Sequence, residues 1–149
     1  MTKSCCFLGH SIIYQEIKPE LRKTIEHLIL QKGVTHFYVG TQGGFDKLVY
    51  QVLCELEEKH PIQVVVVLAY LNRHQETPYY DLNKTIFPDV LTKTPLRFAI
   101  SNRNAYMINI SEYLVTYINT PFSRAYTNIE QAINKKKHII NLGTYNIAQ

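Results

Sequence analysis

The chain has 149 residues, 46% of them hydrophobic, and a formal net charge of +4 with a pI near 8.9. That length carries one core of ordinary size and leaves no room for two ordinary domains, and the composition excludes a disordered chain. The basic balance is mild and spread along the sequence, which argues against a dedicated nucleic-acid arm; the run Lys135-Lys136-Lys137 reads as the solvated end of a helix, where cations suit the dipole.

Residues 4–9 read as a first strand, Cys5-Cys6-Phe7-Leu8, ending at Gly9-His10-Ser11. Pro19 opens a helix at a position where its missing N–H costs nothing; Leu21, Ile25, Leu28 and Ile29 form the apolar face and Gly33 stops it. A second strand over 35–39 runs into Gly40-Thr41-Gln42-Gly43-Gly44-Phe45-Asp46, and from there Phe45, Leu48, Val49, Val52, Leu53 and Leu56 recur at helical spacing to about residue 59. Residues 62–71 include Val64-Val65-Val66-Val67-Leu68, a strand apolar on both faces, as in the middle of an α/β sheet. Residues 72–96 form an irregular excursion with Pro78, Pro88 and Pro95, a short strand over 86–91, and the character of a lid or binding loop. A further helix begins around Ser101, followed by a strand over 113–118, a loop over 119–124, a helix with Ala125, Ile129, Ala132 and Ile133 inward, a last strand over 138–142 and a tail from Tyr145.

This alternation predicts one α/β domain over 1–149, a Rossmann-like doubly wound, mainly parallel sheet of about five strands with helices on both faces. Such folds bind ligands outside the carboxyl ends of their strands, where the three glycines at the second strand-to-helix junction fall. A glycine-rich junction exposes unpartnered helix N–H groups and lets a phosphate approach the backbone; a tight turn whose glycines only relieve strain is the alternative. Cys5, Cys6 and Cys54 make no closed disulfide set and no metal-ligand spacing, so free thiols in a reducing cytoplasm are expected, with no metal and no cofactor. No apolar run reaches transmembrane length and no apolar leader precedes the first strand, so no membrane partner is expected.

Three pieces in order carry a family resemblance: Cys5-Cys6-Phe7-Leu8-Gly9-His10, Gly40-Thr41-Gln42-Gly43-Gly44-Phe45-Asp46, and Arg103-Asn104-Ala105-Tyr106-Met107 before Ser111-Glu112-Tyr113-Leu114-Val115. Together they resemble the SLOG superfamily, the Rossmann-like group uniting Smf/DprA and LOG ("Lonely Guy") proteins, and within it the YpsA-like branch. The resemblance spans nearly the whole chain outside 72–96. It implies a site for a nucleotide or nucleotide-derived small molecule, with Gly40, Gly43, Gly44 and Asp46 at the phosphate or ribose side and Arg103 matching an arginine of LOG enzymes. The chain departs from the pattern at Ser11, where the branch carries an arginine after Gly-His. It departs again at Thr120-Pro121-Phe122-Ser123-Arg124-Ala125-Tyr126-Thr127-Asn128, where the hydrolases carry Pro-Gly-Gly-x-Gly-Thr-x-x-Glu. With no glycine or glutamate in that register, and Glu130 out of it, LOG-type turnover is not expected.

The candidate ligand residues are therefore Gly9, His10, Gly40, Thr41, Gln42, Gly43, Gly44, Asp46, Arg103, Asn104, Ser123 and Arg124. Arg103 would clamp a phosphate with its planar fork, or pair with an acid. Arg124 opens a helix, where a cation opposes the dipole and an anionic ligand would relieve it. His10 would meet a ligand or satisfy backbone at a strand end; Asp46 would accept from a ribose hydroxyl or cap its helix. Tyr79 and Tyr80 would stack on a base or pack within their loop.

The catalytic residues are unknown, Asp46 and Arg103 being the candidates for an alternative reading as an N-glycoside hydrolase or transferase on nucleotides. A DprA-like nucleic-acid or protein-interaction module is a second alternative. Exposed tyrosines, of eleven in the chain, would suit a homodimer interface.

Overall fold

The computed structural model describes residues 2–71 and 78–147; the first part of the 72–96 excursion and the end of the tail lie outside them. Strands β1 (Lys3–Gly9), β2 (Val34–Val39), β3 (Gln63–Val67), β4 (Thr85–Ile86), β5 (Tyr113–Tyr117) and β6 (His138–Asn141) alternate with helices α1 (Lys18–Lys32), α2 (Gly44–Glu57), α3 (Ala99–Asn109) and α4 (Arg124–Asn134). The strands form a Rossmann-like parallel sheet in the order β4-β3-β2-β1-β5-β6, so the chain winds outward from β1 in one direction and returns to its other side through β5. The switch point lies between the carboxyl ends of β1 and β5.

β1 is central and buried on both faces, and its alternation sorts the two layers. Cys5 and Phe7 pack with α1 and α2 residues such as Leu21, Ile25, Val49 and Leu53. Cys6 and Leu8 pack with Met107 and Ile108 of α3 and Ile129 and Ala132 of α4. The two thiols are free and fully buried, and burial holds both well on the protonated side, Cys6 at about 12. α1 ends at Gly33, whose φ of 71° is the left-handed cap that its Cβ-free backbone permits and whose N–H closes on Leu28 O.

Several boundaries differ from expectation. The sheet has six described strands rather than about five, because Thr85 and Ile86 pair with Val66 and Val67. The strand expected over 86–91 stops there: Pro88 has no N–H for a ladder, and Asp89–Leu91 turns into a 3-10 helix. β3 ends at Val67, four residues short of the apolar run. α3 starts at Ala99 on the end of a 3-10 turn, Leu96–Phe98. The lysine run follows α4 instead of lying in it, with Lys136 at φ 58°.

Only two of the eleven tyrosines are exposed, and most are half-buried. Tyr14 and Tyr79 are exposed, whereas Tyr117 and Tyr50 are buried with hydroxyls that accept from the Tyr14 and Asp81 N–H groups. Tyr145 also packs inward, its N–H donating to Ile118 O and its ring meeting Tyr126 edge-on. No described helix is long and apolar enough to cross a membrane.

One side chain ties the end of the sheet together. Asn141 Oδ1 accepts from the Ile118, Gly143 and Thr116 donors, while Nδ2 donates to Ile118 O and Tyr145 O. Replacing it strands several main-chain groups at once. Asn141→Ala is expected to cost about 2–4 kcal/mol in urea denaturation with an unchanged m-value; a loss below about 0.5 kcal/mol would mean water replaces the amide freely.

Candidate functional site

The carboxyl edge of the sheet is stitched around the switch point. His10 N–H donates to Tyr117 O at 3.1 Å, and His10 Nε2 accepts from Asn119 N–H at 2.8 Å. An accepting Nε2 must be unprotonated, and partial burial lowers the His10 pKa in the same sense. His10 thus serves the β1 and β5 loops as a neutral brace. Gly44 N–H donates to Ser11 O at 2.6 Å, tying the loop after β1 to the start of α2.

The junction glycines explain themselves by what lies where their Cβ atoms would be. At Gly40 a Cβ would sit 2.6 Å from an Arg103 nitrogen; at Gly43, with φ 95°, it would meet Ser11 at 2.6 Å; at Gly44 it would meet Ser11 O at 2.7 Å. At Gly9 it would enter the Phe45 ring at 2.5 Å. These glycines allow close approach by the chain's own atoms. The first helix N–H of α2 is likewise occupied, by Ser11 O.

What the junction delivers is a seat for Arg103. This side chain projects from α3, is 1% exposed, and lies across the carboxyl ends of β2 and β3 against Gly40. Its Nη1 donates to Val67 O at 3.0 Å and its Nε to Asn104 Oδ1 at 2.8 Å. Asn104 Nδ2 continues to Asn128 Oδ1 of α4, and Asn128 Nδ2 to Ser101 O, both at 3.4 Å, so a polar relay fixes the guanidinium plane from behind. Among the described residues no carboxylate forms an ion pair with Arg103. Desolvation lowers its pKa, opposed by the charge of Asp46.

Asp46 is 6% exposed, in the first turn of α2, and accepts from Gln42 N–H at 2.9 Å. Burial pushes its carboxyl up to about 6, against the pull of Arg103 and the Gln42 hydrogen bond. Arg103 and Asp46 both line a cleft of about 570 Å³. Leu8, Gly9 and Ser11 from the end of β1, and Gln42 beside Asp46, form one side; Ser101, Arg103 and Asn104 of α3 and Thr127 and Asn128 of α4 form the other. Arg97, in the 3-10 turn before α3, and Arg124 also line it, both exposed; Arg124 opens α4, where the dipole disfavours a cation. Among the described residues three arginines and one carboxyl line the cleft, a balance suited to an anion.

Of the expected residues, the fold thus gathers Gly9, Gln42, Asp46, Arg103, Asn104 and Arg124 on one cleft. Gly40 lies beneath Arg103, Gly43 and Gly44 pack on Ser11, and Thr41 Oγ1 accepts from Gln42 Nε2. Ser123 caps α4, accepting from Tyr126 N–H at 3.3 Å. Tyr79 packs edge-on against Tyr50 and Tyr80, with Lys47 Nζ 5.8 Å from its ring centroid. Sequence reasoning missed Arg97, Ser101, Thr127 and Asn128. The last two were readable only as positions within an eroded motif.

No family model and no curated protein matches the sequence. Among solved structures the chain is similar to the DNA processing protein A (DprA) of Streptococcus pneumoniae, with a TM-score of 0.69 at 12% identity. The likeness covers 94% of this chain and 50% of that one, so the chain spans half the length of that protein. At this identity it establishes a shared fold.

The Asp46 environment has a stability signature. A carboxyl whose pKa rises on folding contributes stability that is present below its unfolded pKa and is lost as the pH climbs through its folded pKa. Asp46→Asn, which keeps an acceptor for Gln42 N–H, is expected to be the more stable protein at pH 8, by on the order of 3 kcal/mol for a shift from 3.8 to about 6. Urea denaturation of both proteins from pH 4 to pH 8 should show that advantage growing between those two values. A difference independent of pH would remove the buried carboxylate as its cause.

Proposed function

We propose that the cleft binds a nucleotide or nucleotide-derived small molecule through its phosphate, and that the chain is a SLOG-type binding protein without LOG-type turnover. The observation that carries this reading is Arg103, a buried cation lining the cleft whose hydrogen-bond partners among the described residues are neutral. Burying a guanidinium without a paired carboxylate costs several kcal/mol, and a phosphate accepting from its planar fork would offset that cost. Asn104 and Asn128 hold the fork in orientation, and Asp46 stands on the facing wall for a ribose hydroxyl. Arg97 and Arg124 add attraction along the cleft. The fold shared with a DprA protein supports the SLOG kinship; the YpsA-like branch rests on the sequence motifs. Self-association draws support from exposed apolar side chains at the same edge, Ile12, Tyr14 and Phe122.

Asp46 favours a second reading. A carboxyl with a pKa of about 6 in a cleft is suited to general acid chemistry near neutral pH, as departure of a base from an N-glycoside requires. Against it stands the missing glutamate of the hydrolase motif. A nucleic-acid role, suggested by what the DprA protein is named for, would use the same arginines.

Calorimetric titration and thermal shift with AMP, ADP, ADP-ribose and a single-stranded oligonucleotide separate these readings. A nucleotide is expected to raise the melting temperature with its occupancy. Arg103→Lys, which keeps the charge and loses the fork, should weaken binding by about tenfold or more, and Arg124→Ala by about threefold. No shift with any nucleotide would overturn the proposal. Free base appearing in the mixture, lost in Asp46→Asn, would establish the enzymatic reading, and steeply salt-dependent binding of the oligonucleotide alone would establish the third.

A further inference from the structure

Asp46 and Arg103 line one cleft, and neither is neutralised by a group it touches. The Asp46 carboxyl is buried and accepts from Gln42 N–H at 2.9 Å, and among the described residues no cation forms an ion pair with it. The ionisable groups around it come from several elements. Arg103 acts on it from α3. The Tyr79 hydroxyl faces it from the segment before β4, and burial and then the Asp46 charge push that hydroxyl upward. Lys47, the next residue of α2, turns towards Tyr79, its Nζ 5.8 Å from the ring centroid. At the end of β1, His10 is braced unprotonated by Asn119 N–H. Arg97, Arg124 and Tyr70 complete the ionisable lining. Arginine and tyrosine side chains as a class titrate well above neutral pH, and Asp46 is the one acid on the described lining.

We infer that anion binding in this cleft is coupled to protonation of Asp46, so that the site fills as the pH falls and empties as it rises through neutrality. The inference rests on the reading of the cleft as an anion site. A phosphate drawn to Arg103 brings negative charge near a carboxyl whose ionised form Arg103 already favours, so two anions compete for one guanidinium. Protonating the carboxyl removes the competitor. By reciprocity, the bound anion raises the proton affinity of the carboxyl by the same factor. Burial has already brought that carboxyl up to about 6, which places the coupling in the mildly acid to neutral range. The sign follows. Affinity is highest below that value, falls as the pH climbs through it, and levels off once the carboxyl of the complex has also lost its proton. A carboxyl left in water, at about 4, would be ionised across the whole range and would couple to nothing there.

The test is titration of the full chain and of Asp46→Asn with ADP-ribose from pH 5 to pH 8. The diphosphate of this probe is a diester with no proton to lose in that range, so any pH dependence belongs to the protein. The unaltered chain is expected to lose about tenfold in affinity across the range. Asp46→Asn, which is neutral and keeps an acceptor for Gln42 N–H, should bind with one affinity throughout. At pH 7, calorimetry in two buffers of unlike ionisation heat should show net proton uptake by the unaltered chain and none by the variant. A carboxyl that served only to cap its helix would move neither readout. Binding by the unaltered chain that is level with pH would overturn the inference. A dependence surviving in Asp46→Asn would assign it to another group, His10 first, and overturn it equally. Either result leaves the arginine cleft standing. If ADP-ribose binds at no pH, AMP replaces it, with the comparison between the two proteins removing the titration of its own phosphate. Failure of both probes would overturn the cleft reading, and this inference with it.

Discussion

The arrangement at the carboxyl edge depends on one cation lying flat against backbone. Arg103 rests on Gly40 and donates to Val67 O, so it occupies the space above the ends of β2 and β3 that a Cβ at residue 40 would fill. Its position dictates its neighbours'. Asn104 must accept from Nε, Asn128 must hold Asn104, and Asp46 comes under the influence of a charge it does not touch. Desolvation raises the carboxyl and lowers the guanidinium, each moderated by the other. Two buried opposite charges without a contact ion pair are less stable than an apolar patch, and perturbed ionisable groups of this kind cluster at functional sites.

The fold was legible because its signals are long and periodic. A strand apolar on both faces, helices with one apolar stripe, and glycine or proline at their ends specify an α/β alternation almost residue by residue in β1, α1 and β2. The misreadings fall where local signals compete. Thr85 and Ile86 form a strand only because β3 offers them an edge, which no two-residue window can announce. The apolar run after Val67 continues in composition after its pairing ends. Eleven tyrosines look like surface in a sequence because each carries a hydroxyl, yet a hydroxyl with a backbone partner, as in Tyr117 and Tyr50, is content inside.

The candidate cleft gathers part of the expected residues and not the rest, for a reason visible at the glycines. Sequence reasoning placed them at a phosphate, since glycine admits close approach. Close approach is what they provide, but the visitors are Ser11, Phe45 and Arg103. Spacing told where the backbone is crowded and could not tell by what. Asn128 and Arg97 escaped because each matters through a partner far away in the chain, Asn104 for one and the cleft for the other. A pattern in one segment carries no trace of that.

The strand order has a consequence for how the molecule comes to exist. β1 precedes the other strands of the sheet and is buried over most of its length, yet the neighbour on one of its sides, β5, begins only at Tyr113. No adjacent strands are joined by a hairpin, so every sheet contact must wait for a crossover to close. During synthesis the first three strands can assemble with α1 and α2 while the outer edge of β1, Cys5 to Gly9, stays open to any extended segment nearby. An unpaired edge of a buried strand is a template for foreign strands, and pairing with β5 is what closes it.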